Sequence, residues 1–334
     1  MELITIAIAA YNCEQYIADT LSSALKQTYP SFEIIVVNDG STDDTLNILN
    51  RYNDLRIRII NQANQGLSAA RNRGLDESNG KYICFIDADD ILEPDYLSKL
   101  YACIQTNDLD IAVCGVKYCN DNSECFKTYG DDCFGVNKGS MQELYDRYIQ
   151  ICSNYLMSDS WNKLYNKKFI IESGVRFCTP KGMNGNDFLF NYRLMMHVPR
   201  IDAIKECLYI HIDRSGSMVN TRYGKMKASY DYIFKMLDVE TEFVEYSDKL
   251  RKQIEALYIL FERNVFQDIL KLSDIRKQYY EIRRLCKEYA SFEKKNKIQF
   301  CDKMNTLADN IFLKIRNRPS AVWVYILLRS RKIK

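Results

Sequence analysis

The first 116 residues alternate short apolar runs with amphipathic segments, and this alternation limits the fold more than any other feature of the chain. The run 32–37 is almost entirely apolar, as expected of a strand covered on both faces. The segment 14–27 instead places Ile17, Leu21 and Leu25 at helical spacing. Such alternation predicts an α/β fold whose mostly parallel sheet is flanked by helices. Strands are predicted at 4–9, 32–37, 57–60, 82–86 and 110–116, and helices at 14–27, 43–52, 67–77 and 95–105.

Beyond residue 116 the pattern changes twice. Residues 117–136 are polar and are predicted to form a hairpin or loop. Short helices and strands then continue to about residue 222 without a second core. From residue 225 onward apolar residues recur every three or four positions, which predicts helices. We therefore expect one α/β domain over residues 1–222, followed by a C-terminal helical appendage over residues 223–334.

Charge, hydropathy and cysteine usage exclude several classes of protein. The 46 Lys and Arg against 44 Asp and Glu give a net charge of +2, which argues against nucleic acid as a partner. No apolar run approaches the ~18 residues of a membrane span, and the N-terminus lacks the features of a signal peptide. The twelve cysteines are scattered, several within apolar runs, so we expect free thiols and a cytoplasmic protein. A zinc site among Cys114, Cys119, Cys125 and Cys133 is an alternative that their spacing does not favour.

Polar residues follow three of the predicted strands, at 11–12, 38–43 and 87–90. Parallel α/β sheets bind ligands at the carboxyl ends of their strands. The third group holds Asp87, Asp89 and Asp90, whose carboxylates repel one another unless a cation lies among them. Oxygen ligands suit Mg²⁺ or Mn²⁺, which usually share a site with substrate phosphates. For Asp90, a turn or the cap of the following helix is an equally good explanation.

Four motifs in this order resemble the family 2 glycosyltransferases of the GT-A fold, of the bacterial surface-polysaccharide type. They are Tyr11-Asn12, Val-Asn-Asp-Gly-Ser-Thr-Asp at 37–43, Asn-Gln-Gly-Leu-Ser-Ala-Ala-Arg-Asn-Arg-Gly at 64–74, and Phe-Ile-Asp-Ala-Asp-Asp at 85–90. Trp-Asn-Lys-Leu-Tyr at 161–165 and Asn-Asp-Phe-Leu-Phe at 186–190 are also similar. The resemblance covers about residues 2–220. It implies a nucleotide-binding half at about 1–116 and an acceptor half at about 117–222.

The resemblance also implies a nucleotide-diphosphate sugar lying across the strand ends. Tyr11 would stack on the uracil ring, Asp39 would hydrogen-bond the base, and Asp87 would meet the ribose. Arg71 would approach the nucleotide or its phosphates. Asp89 would ligate Mn²⁺ or Mg²⁺, which stabilises the negative charge of the departing diphosphate. The alternatives are a packing role for Tyr11 and a surface position for Arg71.

On the acceptor side, the resemblance identifies Asp187 as the general base that takes the proton of the acceptor hydroxyl. Relatives carry a Glu-Asp pair here, and in this chain Asn186 replaces the Glu. Asn186 and Trp161 are expected to bind the acceptor. The alternative for Asp187 is a cap of the helix predicted at 188–195.

Residues 209–218 depart further from the family pattern, because Ile212 replaces the Arg that many relatives carry. Arg214 and Ser217 would belong to a loop that contacts the diphosphate. His211 would bind the metal or a phosphate. A strand histidine satisfied by hydrogen bonds is the alternative for His211.

These features imply an inverting, metal-dependent glycosyltransferase of the hexosyltransferase type. It would move a sugar from a UDP-sugar to a saccharide or lipid-linked saccharide, in cell-surface polysaccharide synthesis. A sugar nucleotidyltransferase is one alternative, but it would need a Gly-rich loop after the first strand. A non-catalytic nucleotide-sugar-binding protein is another, and Asn186 is the residue that favours it.

The segment 311–334 carries seven Lys and Arg and no acidic residue, around an apolar patch with Trp323 and Tyr325. Basic segments of this kind bind anionic membrane surfaces. The sequence therefore predicts a cytoplasmic enzyme, peripheral on the inner face of the plasma membrane. A terminal helix packed on its own domain is the alternative.

Overall fold

The computed structural model of the protein describes residues 1–121, 124–129, 159–178, 186–197 and 200–214. All of them lie in the first of the two units into which the chain divides, Met1–Asn220. The predicted helical appendage, its boundary at residue 222 and the basic segment 311–334 lie outside the described residues. Among the described helices, none is both long enough and apolar enough to cross a membrane.

The described residues form an α/β fold, as predicted, with one large sheet and helices against it. All five strands and four helices predicted before residue 117 are present, and the two-residue strand β5 was not predicted. The strands are β1 (Ile4–Ala10), β2 (Phe32–Asp39), β3 (Ile57–Gln62), β4 (Tyr82–Asp87), β5 (Ile91–Leu92), β6 (Ile111–Asn120), β7 (Cys125–Tyr129), β8 (Lys163–Asn166) and β9 (Ile201–Asp213). The helices are α1 (Ile17–Leu25), α2 (Thr45–Leu49), α3 (Leu67–Glu77), α4 (Tyr96–Asn107), α5 (Lys167–Ser173) and α6 (Asn186–Met196).

The sheet has a parallel part and a mixed part. Its strand order is β3-β2-β1-β4-β8-β6-β9-β5, with β7 paired to β6. Strands β1 to β4 are parallel to one another. Strand β8 runs antiparallel to both β4 and β6, whereas β9 runs parallel to β6. The parallel part therefore ends at β4, because β8 separates β4 from β6.

Two glycines allow the close packing that holds β1 against its neighbours. A Cβ atom at Gly80 would lie 2.6 Å from the backbone nitrogen of Thr5, so a side chain cannot fit before β4. A Cβ atom at Gly74 would lie 3.1 Å from the Cβ of Ala7, which shows how closely α3 approaches β1. Apolar residues of β1, α1 and α4 form the main core, and a smaller cluster of Ile35, Val37 and Ala70 packs under α3.

The polar region after β6 forms the predicted hairpin, with β7 antiparallel to β6 over the described residues. Cys119 and Cys125 lie opposite each other in this hairpin and are joined by a disulfide. The expectation of free thiols throughout was wrong for this pair, because the hairpin register brings together two cysteines whose spacing gave no signal. Free thiols in the described part of the chain include Cys13, Cys84, Cys103 and Cys114.

Candidate active site

The candidate site lies at the carboxyl ends of the parallel strands. The register pairs Ala10 of β1 with Asn38 of β2, and Ala9 with Asp87 of β4. The residues that follow these strands therefore meet at one edge of the sheet, as the motif order predicts. Tyr11 is 50% exposed there, so its ring is available to a ligand.

Asp39 lies beneath the loop that leads into α3. Its Oδ1 accepts hydrogen bonds from Gln62 Nε2 at 2.7 Å and the Gln65 amide at 2.9 Å, and its Oδ2 accepts one from the Gly66 amide at 2.7 Å. The loop passes so close to Gly40 (φ +70°) that a Cβ atom there would lie 2.7 Å from the Asn64 nitrogen. Asp39 therefore holds the loop before α3 in place, and any contact with a base would be additional to these three bonds.

Arg71 links the end of β4 to the first turn of α6. Its Nη2 donates to Asp87 Oδ1 and its Nη1 to Asp187 Oδ2, both at 2.6 Å. Its side chain is only 2% exposed, so the alternative of a surface charge was wrong. Burial disfavours the charged guanidinium, but the carboxylates of Asp187 and Asp87 outweigh it and raise the pKa of Arg71. Arg71 is therefore a permanent buried cation between two acids, and its approach to the nucleotide or its phosphates stays a prediction.

Asp187 lies in the first turn of α6, whose first residue is Asn186, and not before the helix as the capping alternative required. Its Oδ2 accepts the bond from Arg71. Its Oδ1 accepts hydrogen bonds from the amide of Ser160, at 3.1 Å, and from the Ser160 hydroxyl. The side chain of Asp187 is 16% exposed, so one edge remains open to a ligand.

Arg214 lies just beyond β9 and contacts the acidic loop after β4. Its Nη2 donates to the backbone oxygen of Asp89 at 2.9 Å, its Nη1 lies 3.2 Å from Asp121 Oδ1, and its guanidinium carbon lies 3.7 Å from the ring centre of Tyr16. Burial, followed by repulsion from Asp90 and Asp87, raises the pKa of Asp89 to about 7. A carboxylate in this state gains from an added cation. Ser217, the other predicted phosphate contact, lies outside the described residues.

His211 and Trp161 form a stacked group around a buried acid. Asp90 is fully buried and accepts hydrogen bonds from the Tyr209 hydroxyl at 2.7 Å and the Ile212 amide at 2.9 Å; its Oδ2 also lies 3.1 Å from His211 Nδ1. The Trp161 ring lies parallel to that of His211, with centroids 5.5 Å apart, and stacks on Tyr209 at 4.4 Å.

The charge state of His211 follows from this arrangement. Burial lowers its pKa, but the Asp90 carboxylate more than offsets burial and raises the pKa to about 9. A protonated imidazole has no free lone pair for a metal. The surroundings of His211 match the alternative of a strand histidine held by hydrogen bonds, and its metal role stays a prediction.

The residues at the end of β4 fit a divalent cation in their chemistry. Asp87 and Asp89 offer carboxylate oxygens, the donors that Mg²⁺ and Mn²⁺ prefer, and their side chains are 29% and 34% exposed. Within the described residues, no three His, Cys, Asp or Glu side chains converge as a preformed metal site. A cation here would therefore need oxygens from a ligand, as a nucleotide diphosphate would supply.

Sequence reasoning missed Asp159 and Ser160, and it did not predict the contacts that Asp90 makes. Asp90 supports Tyr209 and His211, which are more than 100 positions away along the chain. Asp159 and Ser160 directly precede Trp161, and that adjacency is the signal that would have found them. Partial burial and the Asp187 carboxylate raise the pKa of Asp159 to about 7.

Comparisons with known proteins agree with this geometry. Residues 5–172 match the model of the family described as "Glycosyl transferase family 2". The chain is 35% identical to Glycosyltransferase GlyA of Streptococcus pneumoniae over 64% of its own length and 31% of GlyA. It is 32% identical to Glycosyltransferase GlyG of the same organism over 80% of its own length and 94% of GlyG.

The fold is similar to that of residues 1–349 of Staphylococcus aureus TarS, in a crystal structure with UDP-GlcNAc. The TM-score is 0.63 and the sequence identity 21%, over 83% of each chain. This likeness places the parallel sheet and its flanking helices in the GT-A fold. Together with the family match over half of the chain, it gives one conclusion: this chain belongs to glycosyl transferase family 2.

Proposed function

We propose that the protein is an inverting hexosyltransferase that moves a sugar from a UDP-sugar to a saccharide acceptor. The observation that carries this proposal is the buried bridge from Asp87 through Arg71 to Asp187. It joins an acid at the donor edge of the sheet to an acid on α6, so that the two substrates would meet over one rigid set of charges. Preorganised charge of this kind is the largest source of rate enhancement in many enzymes.

A UDP-sugar is the donor that the donor edge suits best. The exposed ring of Tyr11 offers a stacking surface for a base, and Asp39 lies at the bottom of the same edge. The TarS structure with UDP-GlcNAc supports this choice of nucleotide, because that protein shares the fold. Asp89 and Asp87 would hold Mn²⁺ or Mg²⁺. When bound, the cation would neutralise charge on the diphosphate leaving group.

The acceptor hydroxyl would attack the anomeric carbon of the donor sugar from the side of α6. The new carbon–oxygen bond forms as the bond from that carbon to the diphosphate oxygen breaks, which inverts the anomeric configuration. Asp187 would take the hydroxyl proton on its exposed edge, while Arg71 and Ser160 hold the carboxylate in place. General-base catalysis of this kind contributes about 10²–10⁴-fold to rate.

The acceptor is proposed to be a growing or lipid-linked saccharide of a cell-surface polysaccharide. Family membership and the polysaccharide-type motifs support this class of acceptor. The basic segment 311–334 would keep the enzyme at the cytoplasmic face of an anionic membrane. If so, full-length protein should bind anionic liposomes at low salt, release them as salt rises, and lose binding when residues 311–334 are removed. Binding that is unchanged by this truncation would refute the membrane proposal.

The proposed activity is tested by measuring UDP release from a panel of UDP-sugars with Mn²⁺, with and without saccharide acceptors. We expect one donor to give release that rises with an acceptor, and NMR of the product should show an inverted anomeric centre. Asp187→Asn is the active-site variant, and Asp19→Asn, an exposed acid on α1, is the matched control. Tight UDP binding without turnover of any donor would favour the non-catalytic alternative.

A further inference from the structure

The acceptor side of the site lacks an acid where the family motif has one. Asn186 stands in place of the Glu of the Glu-Asp pair. Asn186 is only 4% exposed, and its Nδ2 has no hydrogen-bond partner in the described part of the chain. An amide can bind a sugar hydroxyl, but it cannot supply the negative charge of a carboxylate. The missing charge must either be dispensable or come from another residue.

Asp159 is held beside the first two turns of α6. Its backbone oxygen accepts a hydrogen bond from Asn191 Nδ2 at 3.0 Å, and Asn191 lies one turn beyond Asp187. Tyr165 fixes the same amide, because its hydroxyl donates to Asn191 Oδ1 at 2.7 Å. The next residue, Ser160, donates twice to Asp187. Residues 159 and 160 are therefore attached to α6 at two successive turns, next to the proposed base.

The carboxylates of Asp187 and Asp159 differ in the number of hydrogen bonds that they accept. Asp187 accepts three hydrogen bonds, two on Oδ1 and one on Oδ2. The carboxylate of Asp159 accepts none from the described residues, although its residue is half-buried and its main-chain oxygen has two partners, Asn191 and Lys163. A partly buried carboxylate with open lone pairs gains from a hydroxyl donor.

We propose that Asp159 is the second acid of the acceptor site, and that its carboxylate accepts a hydrogen bond from a hydroxyl of the acceptor sugar. Asp159 lies in the segment before Trp161. Its carboxylate would supply the negative charge that α6 lacks because Asn186 replaces a Glu. This inference rests on the proposed glycosyl transfer and adds an acceptor-binding residue to it. Asp159 orients the acceptor, whereas Asp187 receives the proton.

This division of labour predicts a specific kinetic pattern for Asp159→Asn. The variant should raise the KM for the saccharide acceptor about 10–100-fold, because a hydrogen bond to a charged group is lost. The kcat should change less than about threefold. Asp159→Glu should recover part of the lost acceptor affinity, and Asp19→Asn should change neither constant.

The double variant Asp159→Asn/Asn186→Glu provides the sharpest test, because it moves the acid back to α6. If Asp159 replaces the missing Glu, the double variant should bind acceptor at least about fivefold more tightly than Asp159→Asn alone. Thermal unfolding of each variant shows whether it is folded. If both variants are folded and the double variant binds acceptor no more tightly than Asp159→Asn, Asp159 does not replace the missing Glu.

A binding experiment separates this proposal from the failure of the proposed function. Saturation-transfer NMR with methyl glycosides of glucose, galactose and N-acetylglucosamine, in the presence of UDP and Mn²⁺, reports acceptor binding without turnover. Loss of the signal in Asp159→Asn would support the acceptor role even if no donor is turned over. Equal signals in wild type and Asp159→Asn, no signal in the wild type, or a collapse of kcat at unchanged KM would each overturn the role of Asp159.

Discussion

Two parts of the sheet differ in where the partners of their polar residues come from. The parallel part consists of β1 to β4, and the mixed part consists of β5 to β9 with α6. In the parallel part the polar residues lie at or just after strand ends, and their partners come from nearby segments of the chain, as with Asp39 and Gly66, which are 27 positions apart. In the mixed part the contacts join distant segments. Arg71 and Asp187 are 116 positions apart, and Asp90 and Ile212 are 122 apart. The parallel part is therefore assembled from segments close together in the chain, and the mixed part only by the completed fold.

Arg71 joins the two parts through two buried ion pairs, so its removal should have the largest effect. Arg71→Ala leaves Asp87 and Asp187 facing each other without a cation in a buried site. Breaking a buried ion pair by removing one partner costs about 3–5 kcal/mol. We expect a loss of this size in the free energy of urea unfolding, together with loss of transfer.

Arg71→Lys is the matched variant, because it keeps one positive charge but cannot donate to both acids in the same geometry. It should unfold between the wild type and Arg71→Ala, and it should remain strongly impaired in transfer. An Arg71→Ala protein within 1 kcal/mol of the wild type would show that the bridge does not couple the two parts.

Replacement of Asp187, the proposed base, tests the proposed acceptor side alone. Asp187→Asn keeps the shape of the side chain but removes one of the two carboxylates that pair with buried Arg71, so we expect a loss of stability while UDP binding changes little. Transfer should fall about 10²–10⁴-fold, because only the chemical step loses its proton acceptor. Calorimetry with UDP and a transfer assay on the same preparation would measure the two effects. A variant with nearly normal transfer would remove Asp187 from the chemistry.

The same contrast explains what could be predicted from the sequence. The strands of the parallel part, and the meeting of the residues after them at one edge of the sheet, were predicted correctly, because apolar runs and the motifs that follow them are contiguous. The insertion of β8 between β4 and β6 was not predicted, since four residues that pair on both sides carry no pattern of their own. The burial of Arg71 was also missed, because its two acidic partners come from other segments.

Asp90 provides a second example of a role that only the fold reveals. In the sequence it is one of three neighbouring acids after β4, and turn formation explained it as well as metal binding did. In the structure its carboxylate points to β9 and is fully used by Tyr209, Ile212 and His211. The acidic group therefore divides, with Asp90 supporting the mixed part and Asp87 and Asp89 facing the donor edge.

Asp89 tests the donor side alone. Asp89→Ala should weaken UDP binding in the presence of Mn²⁺ by about 10–100-fold, because the proposed cation loses a ligand. It should have little effect when a chelator is present. Titration calorimetry with UDP, in Mn²⁺ and in EDTA, measures the UDP affinity under both conditions. Asp90→Asn serves as the comparison, since it should lower stability while leaving the Mn²⁺ dependence of UDP binding in place. Equal UDP affinity of the wild type with and without chelator would exclude the metal role of Asp89.

The smallest expected effect is a pH dependence that belongs to the mixed part. Because Asp90 raises the pKa of His211 from its ordinary 6.5 to about 9, the folded protein binds the proton more tightly than the unfolded chain. The resulting stabilisation is complete below about pH 6.5 and is lost as the pH rises through about 9.

His211→Gln should therefore lower the free energy of unfolding by on the order of 1–2 kcal/mol at pH 6 and by much less at pH 10. Urea unfolding in EDTA, which keeps metal ions out of the comparison, measures this difference. A stability difference that is the same at both pH values would mean that His211 contributes through stacking on Trp161 alone, and that its charge has no part in holding β9 to the acidic loop.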